Sequence, residues 1–404
     1  MRVLHLTPTL PWPADSGGKI GIWNYIQADA RFAQVGILSF ADFEPDAISL
    51  GALRTTCRDV EIVRRPRTLD GVVGGARSVL SNMAMNMAKY RWPEFSKALA
   101  GVVARWNPDV VVAHHLHMSS YLLEVQGPAT ILREHNIDSD LMGRYSRTIR
   151  NPALAAFARQ QAEQIRQLEA RIAPRVKRCL VITAEDEESL KEIAPTASIA
   201  VVPGVIDPGR YEAVEAPTAG DPIVVTTGSF NFRPTGEGLV EFVDKAWPRI
   251  LKGSPRARLR VIGHCPPKLA RRINAPGVEV LGRVEQVRPH LSGAHAFVVP
   301  RRVGSGMRMR ILESLAWQIP TVSTELGAVG IHADHGRHLL LADSPEEMAT
   351  AVLTLFKDRP LALILRREGR RLVEKSYSLD TSEQLTSRIY ARCLDTATVD
   401  QDVS

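Results

Sequence analysis

The sequence predicts an α/β protein built from two doubly wound domains, and three observations support this. Short apolar runs rich in β-branched residues alternate with helical patterns along the chain, as is typical of parallel sheets covered by helices. The alternation starts again after residues 204–221, a predicted linker rich in Pro, Gly and Ala. The length of 404 residues suits two or three domains.

The first half of the chain contains six runs with the composition of buried strands. They are Arg2–Leu6, Val35–Phe40, Val60–Val63, Asp109–His114, Ala129–Arg133 and Arg178–Thr183. Apolar residues at helical spacing lie between them, over Ile20–Asp29, Ala76–Lys89, Phe95–Trp106 and Leu154–Ile172. These elements predict a first domain over residues 1–205.

The second half repeats this pattern. The predicted strands are Pro222–Thr227, Arg258–Ile262, Val278–Leu281, His295–Val299, Thr321–Ser323 and His338–Leu341. The predicted helices are Gly238–Leu251, Pro267–Asn274, Val287–Ser292, Met307–Trp317 and Pro345–Phe356. A second domain over residues 206–376 follows, and residues 377–404 are predicted to form a helix that crosses back to the first domain.

Composition argues against several classes of protein. The four cysteines (Cys57, Cys179, Cys265 and Cys393) form no CxxC pair, so neither a zinc site nor a disulfide framework is expected and a cytoplasmic location fits. No apolar run reaches the roughly 18 residues of a spanning helix. The apolar run at the N-terminus is too short for a signal peptide and is predicted to be a strand.

The net charge is +7, and basic residues concentrate between Arg54 and Arg91. Such a segment fits a nucleic-acid surface, an anionic lipid surface or a solvated face. Nucleic acid is not predicted, because aromatic residues make up only 6% of the chain and are not interleaved with the basic ones. Residues 76–91 carry Met83, Met85 and Met87. This leaves open both a helix at the inner face of the cell membrane and a buried helix.

The segment from Pro300 to Pro320 is the most informative. A strand is followed by the turn Gly304-Ser305-Gly306, and a helix is predicted from Met307 with Arg308 and Arg310 in its first turn. Cations are unfavourable at the positive end of a helix dipole unless an anion meets them. Backbone amides and guanidinium groups together suit a diphosphate. The alternative is a surface helix that happens to carry arginines.

Other predicted strand ends carry glycine or polar residues, which let a ligand approach the backbone. In the second domain these are Gly228, Ser229, Gly263, Arg283 and Arg301. In the first domain, Ser16, Gly17, Gly18 and Lys19 open a helix and either contact a phosphate or sugar or form a simple turn with Ser16 as the N-cap.

Four histidines follow strands of the first domain. His135 either positions a hydroxyl, exchanges a proton or is an ordinary loop histidine. His114, His115 and His117 suggest a metal by their proximity, but no Asp or Glu accompanies them in a recognised ligand pattern. No metal site is therefore predicted.

Together these segments resemble glycosyltransferase family 4, the retaining sugar-nucleotide-dependent enzymes of GT-B fold. The resemblance covers nearly the whole chain and is strongest from Thr227 to Asp343. It is carried by residues 11–19, by Glu134-His135-Asn136 with Arg144, by residues 202–207, by residues 228–235, by Pro300 to Glu313, and by residues 322–330. It implies an acceptor-binding first domain, a nucleotide-sugar-binding second domain and an interdomain cleft.

The resemblance also implies roles for individual residues. Arg308, Arg310 and His135 would act in catalysis, and Ser16 to Lys19 would form an acceptor or phosphate loop. The donor would be bound by Gly228, Ser229, Gly263, Arg283, Arg301, Gly304, Ser305, Gly306, Met307 and Glu313. Glu313 matches the glutamate that holds the donor ribose, whereas Ser305 stands where many members carry a sugar-binding glutamate.

The implied activity is transfer of a sugar from a UDP- or GDP-sugar, with retained configuration, to a glycan or lipid-linked acceptor in polysaccharide synthesis. Neither a metal nor a cofactor is expected. The alternative is a sugar-nucleotide epimerase of the same fold, which would need acid and base carboxylates that the sequence does not make evident.

Overall fold

The computed structural model describes residues 1–65, 84–149, 151–217, 220–231, 233–300 and 307–395. The chain forms two compact α/β units. The first contains Met1–Val205 and the chain from Leu379 onward, and the second contains Ile206–Ser378. Each unit is built on a fully parallel sheet in its described residues, so the predicted doubly wound fold class is confirmed.

The first unit has a seven-stranded sheet in the order β3-β2-β1-β4-β5-β6-β7. Its strands are β1 Arg2–Thr7, β2 Gln34–Ala41, β3 Asp59–Arg64, β4 Val110–His114, β5 Ala129–Arg133, β6 Arg178–Val181 and β7 Ile199–Val201. Alternate residues of these strands enter two separate hydrophobic clusters: Leu4 and Val111 belong to one, and Val3 and Val112 to the other. The sheet is therefore covered on both faces.

In the part of the first unit that the structure describes, seven α-helices connect these strands. They are α1 Gly17–Asp29, α2 Ala47–Thr56, α3 Met85–Ala88, α4 Pro93–Trp106, α5 Asp138–Arg147, α6 Pro152–Ile172 and α7 Ala184–Ile193, with 3-10 turns at Leu116–Glu124 and Ala173–Arg175. The predicted helix Ala76–Lys89 lies outside the described residues over positions 76–83. In its described part, Met87 is buried in the core.

The second unit has a six-stranded sheet in the order β10-β9-β8-β11-β12-β13. Its strands are β8 Ile223–Thr227, β9 Arg258–Ile262, β10 Val278–Gly282, β11 Ala294–Val299, β12 Thr321–Ser323 and β13 Leu340–Leu341. Its helices are α8 Arg233–Glu241, which continues through a π-turn at Phe242–Ala246 into α9 Trp247–Gly253, then α10 Pro267–Arg272, α11 Arg288–Leu291, α12 Met309–Ala316, α13 Glu325–Ala328, α14 Pro345–Lys357 and α15 Arg359–Ser376.

The last helix, α16 (Leu379–Leu394), packs against α1 of the first unit. The contact contains a buried polar group. Asp29, at the end of α1, accepts hydrogen bonds from the hydroxyls of Thr386 (2.9 Å) and Tyr390 (2.7 Å). Because Asp29 is fully buried, these bonds replace the water that the carboxylate loses on folding.

The segment predicted to be a linker is packed in its first part. Val214 is buried, its amide donates to the carbonyl of Trp317, and its carbonyl accepts from Arg366. Tyr211 lies edge-on against the ring of Trp317. Tyr211 and Val214 therefore attach this part of the predicted linker to the second unit. The boundary between the two units falls between Val205 and Ile206, within the predicted segment.

Several elements were not predicted. Strand β7 has only three residues, too few for a periodicity to show. The helices α2, α5, α7, α13 and α15 were also missed, although Asp46, Thr183, Thr324 and Asp358 cap four of them with side-chain oxygens. No helix among the described residues has the length and apolarity needed to cross a membrane.

We predict that Tyr390→Phe lowers the free energy of unfolding by about 1.5–3 kcal/mol, because it removes a hydrogen bond to a buried carboxylate. Denaturant unfolding of the full chain measures this. Tyr145→Phe is the matched control: Tyr145 is exposed, and its loss of a hydroxyl should change stability by less than about 0.5 kcal/mol. Equal unfolding midpoints for the two variants would contradict the prediction.

Candidate functional site

Each sheet reverses its strand order between its first strand and its fourth. In the second unit the reversal lies between β8 and β11, and in the first unit between β1 and β4. Helices leave the sheet towards opposite faces at such a point, so the carboxyl ends of the two strands border a crevice. The candidate site residues concentrate at these two places.

Arg310 lies at the reversal point of the second unit. It occupies the first turn of α12, and its guanidinium donates to the carbonyl of Thr227 (3.3 Å) and to the hydroxyl of Thr235 (3.2 Å). Both acceptors are neutral. Burial lowers the pKa of Arg310, although the nearby Glu313 carboxylate acts in the opposite direction. A half-buried cation at the positive end of a helix thus stands at the carboxyl edge of β8.

Two glycines make room for this arrangement. Gly228 follows β8, and a Cβ at its position would come within 3.1 Å of Arg310 Nη1. Gly263 follows β9 with φ of +121°, and a Cβ there would lie 2.0 Å from the carbonyl oxygen of Gly228. The geometry thus gives these glycines a packing role: they bring two strand ends together beneath the guanidinium.

Glu313 lies one helical turn after Arg310 and is half-buried. Its Oε1 accepts a hydrogen bond from the hydroxyl of Tyr211 at 3.1 Å. Burial raises the pKa of Glu313, and the Tyr211 hydroxyl and the Arg310 charge oppose this rise. Tyr211 was not among the predicted site residues because it falls in the segment that was interpreted as a linker.

The helix begins two residues later than predicted. Met307 and Arg308 precede α12, and Arg308 is its N-cap residue with an extended backbone. Placing both arginines in the first turn was therefore wrong, and only Arg310 is there. A helix that starts at Met309 turns the side chain of Arg310 towards β8. Arg301, Gly304, Ser305 and Gly306 lie outside the described residues, so their roles stay predictions.

The remaining donor-side candidates are exposed. The Ser229 hydroxyl donates to Asn231 Oδ1 at 2.6 Å. Arg283 follows β10, which is the edge strand of the sheet and is separated from β8 by β9. Arg283 is therefore two strands away from the strand end where Arg310 is held.

In the first unit, Ser16 to Lys19 begin α1 directly after the loop that follows β1. Ser16 is the N-cap residue, but its side chain makes no capping hydrogen bond. Gly17 and Gly18 are exposed, and a Cβ at either would meet nothing within 4 Å. Lys19 pairs with Asp15 at 3.0 Å. The first amides of α1 are thus open to a ligand, as the binding interpretation of this loop requires.

His135 follows β5 and is buried. Its Nδ1 faces α1, where it would lie 3.7 Å from a Cβ at Gly21. Its Nε2 lies 3.2 Å from Nδ1 of His114, and the other ring nitrogen of His114 lies 3.1 Å from Nδ1 of His5. Burial lowers the pKa of His135 well below its usual value. The structure thus brings His135 close to the start of α1, which the sequence could not show.

The neighbouring histidines stack. The rings of His135 and His115 are 4.1 Å apart, those of His115 and His117 are 5.0 Å apart, and His117 continues the stack onto Tyr90 at 4.5 Å. Among the described residues, no three His, Cys, Asp or Glu side chains are arranged to hold a metal ion.

Burial raises the pKa values of three carboxyl groups, of which Glu134 precedes His135 directly in the chain. Burial raises the pKa of Glu134 well above its usual value, that of Asp138 to about 6 and that of Glu169 to about 7. Glu169 accepts hydrogen bonds from the amide and hydroxyl of Ser139. Glu134 is only 1% exposed, so its carboxyl group faces the interior and not a substrate.

Comparison with known proteins adds a family match to this geometry. Residues 224–358 match the family model described as "Glycosyl transferases group 1". An uncharacterized 44.6 kDa protein in the cps region of Klebsiella pneumoniae is 20% identical over 163 residues, which span 38% of this chain and 41% of that protein.

Solved structures resemble the whole chain. Sucrose-phosphate synthase from Thermosynechococcus elongatus superposes with a TM-score of 0.70 at 16% identity, covering 97% of this chain and 99% of that one. HepE from Anabaena in complex with UDP and glucose gives 0.67 at 12% identity, with 97% and 100% covered. WaaG, a glycosyltransferase involved in lipopolysaccharide biosynthesis, gives 0.65 at 14% identity, with 96% and 99% covered.

The chain has the GT-B fold of these solved structures, and the match to the glycosyltransferase family model lies within the second unit. The matched residues 224–358 include β8, α12 and the side chains around Arg310. The GT-B unit that carries Arg310 and Glu313 is therefore also the part of the chain that the family model describes.

We predict that Gly263→Ala lowers the free energy of unfolding by at least about 2 kcal/mol, because a side chain is strained at this φ and would collide with the Gly228 carbonyl. The control is Gly101→Ala within α4, where a Cβ meets nothing within 4 Å. This change should stabilise by up to about 1 kcal/mol. Chemical denaturation compares the two variants, and a Gly263→Ala protein as stable as wild type would contradict the packing role.

Proposed function

We propose that this protein is a retaining glycosyltransferase that transfers a sugar from a UDP- or GDP-sugar to a glycan or lipid-linked acceptor. The observation that carries the proposal is Arg310, a half-buried guanidinium that hydrogen-bonds only neutral oxygens among the described residues. An anion that meets this cation would restore the favourable electrostatics that burial removes. The diphosphate of a sugar nucleotide supplies such an anion.

Glu313 supports the assignment of a nucleotide. A carboxylate one helical turn from the diphosphate contact is a hydrogen-bond acceptor for ribose hydroxyls, and Tyr211 already orients one of its oxygens. The HepE structure, described as a complex with UDP and glucose, belongs to a protein of the same fold. We favour a UDP- or GDP-sugar as the donor on these grounds.

The proposed chemistry depends on charge that develops at the leaving group. As the bond to the sugar breaks, negative charge grows on the β-phosphate. A guanidinium already fixed by Thr227 and Thr235 stabilises this charge without reorganising. Arg308, adjacent to α12, would add a second cation. With these cations in place, the proposed mechanism assigns no step to a metal or to a cofactor.

The first unit is proposed to bind the acceptor. His135 would orient the acceptor hydroxyl, and the exposed amides of Gly17 and Gly18 would hold a neighbouring oxygen. We propose that the hydroxyl attacks from the face on which the nucleotide leaves, so that the anomeric configuration is retained. The bond between the sugar and the phosphate oxygen breaks, and the hydroxyl proton passes to that departing oxygen. The relatives described from lipopolysaccharide biosynthesis and from a cps region favour a polysaccharide or lipid-linked acceptor.

A panel of nucleotides tests the donor class. We predict that UDP or GDP at 100 times its Kd stabilises the wild-type protein by about 2.7 kcal/mol and raises its melting temperature. ADP and double-stranded DNA at the same concentration serve as controls. Absence of a shift with every nucleoside diphosphate would contradict the proposal, and a salt-dependent shift with DNA alone would favour a nucleic-acid-binding protein.

The epimerase alternative predicts a different product. It needs acid and base groups at the sugar, and the carboxyl group of Glu134, next to His135, is buried. We expect UDP- and GDP-sugars incubated with the protein alone to keep their sugar configuration and to release nucleoside diphosphate slowly. Nuclear magnetic resonance of the sugar nucleotides measures both. An epimerised sugar nucleotide would replace the transferase proposal with the epimerase.

A further inference from the structure

A row of four buried side chains crosses the strand reversal of the first unit. It runs from Asp29 at the end of α1, through His5 on β1 and His114 on β4, to His135 after β5. The ring nitrogens of His5 and His114 are 3.1 Å apart, and those of His114 and His135 are 3.2 Å apart. His5 Nε2 lies 3.6 Å from Asp29 Oδ2. Three of the four side chains are completely buried, and His135 is 8% exposed.

At the Asp29 end of the row, the direction of the hydrogen bonds is defined. Its Oδ2 accepts the hydroxyl proton of Tyr390 at 2.7 Å, and its Oδ1 accepts from Thr386 at 2.9 Å. A carboxylate has no proton of its own, so Oδ2 presents its remaining lone pair to its next neighbour. His5 Nε2 therefore carries a proton directed at Asp29. The separation of 3.6 Å makes this an electrostatic contact rather than a full hydrogen bond.

The position of the His5 proton determines the direction of the other two hydrogen bonds, because each contact between two ring nitrogens contains one proton. With the proton of neutral His5 on Nε2, its Nδ1 accepts from Nε2–H of His114. The Nδ1 of His114 then accepts from Nε2–H of His135. His135 is left with a bare Nδ1. In the reversed row the proton of His5 would be on Nδ1. Its bare Nε2 would then face Asp29 Oδ2 with no proton between the two lone pairs, which is unfavourable.

The surroundings keep the three rings neutral. Burial lowers the pKa of His5 to about 3 and lowers the pKa values of His114 and His135 well below the usual value. The charged or titratable groups that face the row are Asp29 and Tyr25 on α1, Arg133 on β5, His115 and His117 after β4, and Tyr390 on α16. The Arg133 guanidinium, which lies 3.9 Å from the Tyr25 ring centre, further opposes a positive charge on His135.

We infer that His5 and His114 are positioning residues that hold His135 as the Nε2–H tautomer, with Nδ1 as a hydrogen-bond acceptor. Nδ1 is the nitrogen that faces α1 near Gly21. It would therefore receive a hydrogen bond from a hydroxyl or amide donor of the substrate, and it would not donate one to a carbonyl or phosphate oxygen. The substrate contact rests on the proposed function, whereas the tautomer does not.

The test is a long-range proton–nitrogen correlation spectrum of the full-length protein labelled with 15N-histidine. His135 should show a protonated Nε2 and an unprotonated Nδ1 in the wild-type protein. In His114→Phe, which removes the partner of Nε2, the His135 signals should move towards the averaged positions of a tautomer mixture. His117→Phe is the control, because it replaces an imidazole of the same stack and removes no nitrogen of the row, and it should leave the His135 tautomer unchanged.

A wild-type His135 protonated on Nδ1, or a tautomer unaffected by His114→Phe, would overturn the inference. The wild-type spectrum decides the tautomer even if the variant does not fold. A thermal shift with UDP separates this outcome from the proposed function. UDP should bind His114→Phe as it binds the wild type, since Arg310 is in the other unit. If the wild-type protein binds no nucleoside diphosphate, the proposed function is contradicted, whereas the tautomer assignment is unaffected.

Discussion

Both units of this protein bury a charged side chain near the strand reversal, and the loss of hydration of that side chain has to be compensated. A parallel sheet has to be covered on both faces, so side chains near the reversal points are drawn into the interior while the strand ends there border a crevice. In the first unit Asp29 is fully buried and receives two hydroxyl hydrogen bonds from α16. In the second unit Arg310 is half-buried and its hydrogen-bond partners, Thr227 and Thr235, are neutral. The Glu313 carboxylate offsets the effect of burial on Arg310 only in part.

This difference in compensation distinguishes the structural role of Asp29 from the ligand-binding role proposed for Arg310. Both carboxylate oxygens of Asp29 have hydrogen-bond donors within the protein, and Asp29 joins the C-terminal helix to the histidines that end at His135. Burial lowers the pKa of Arg310, which means that it disfavours the charged guanidinium. The N-terminal end of a helix also disfavours cations. Such an arrangement is costly without an anion. Binding of a diphosphate at the start of α12 would explain why Arg310 is found there, although the residue does not favour stability.

The sequence predicted the parts that depend on local patterns. The strands around the strand reversals, the placement of Arg310 in a first helical turn and Glu313 one turn later all follow from apolar runs and helical spacing. It could not predict partners distant in the chain. Thr227 is 83 residues from Arg310, and Asp29 is 361 residues from Tyr390. Residues 204–221 are predicted to be a linker because they are rich in Pro, Gly and Ala. Tyr211 and Val214 nevertheless attach the first part of this segment to the second unit, through contacts that composition does not reveal.

The most direct measurement of the central claim compares the affinities of UDP and UMP for wild type and for Arg310→Gln by titration calorimetry. If Arg310 meets the β-phosphate, UDP should bind wild type at least about tenfold more tightly than UMP, since a charged hydrogen bond contributes about 1.5–3 kcal/mol. Most of that gap should disappear in Arg310→Gln. It should persist in Arg283→Gln, which removes an exposed arginine two strands away. An equal gap between UDP and UMP in wild type and Arg310→Gln would contradict the account.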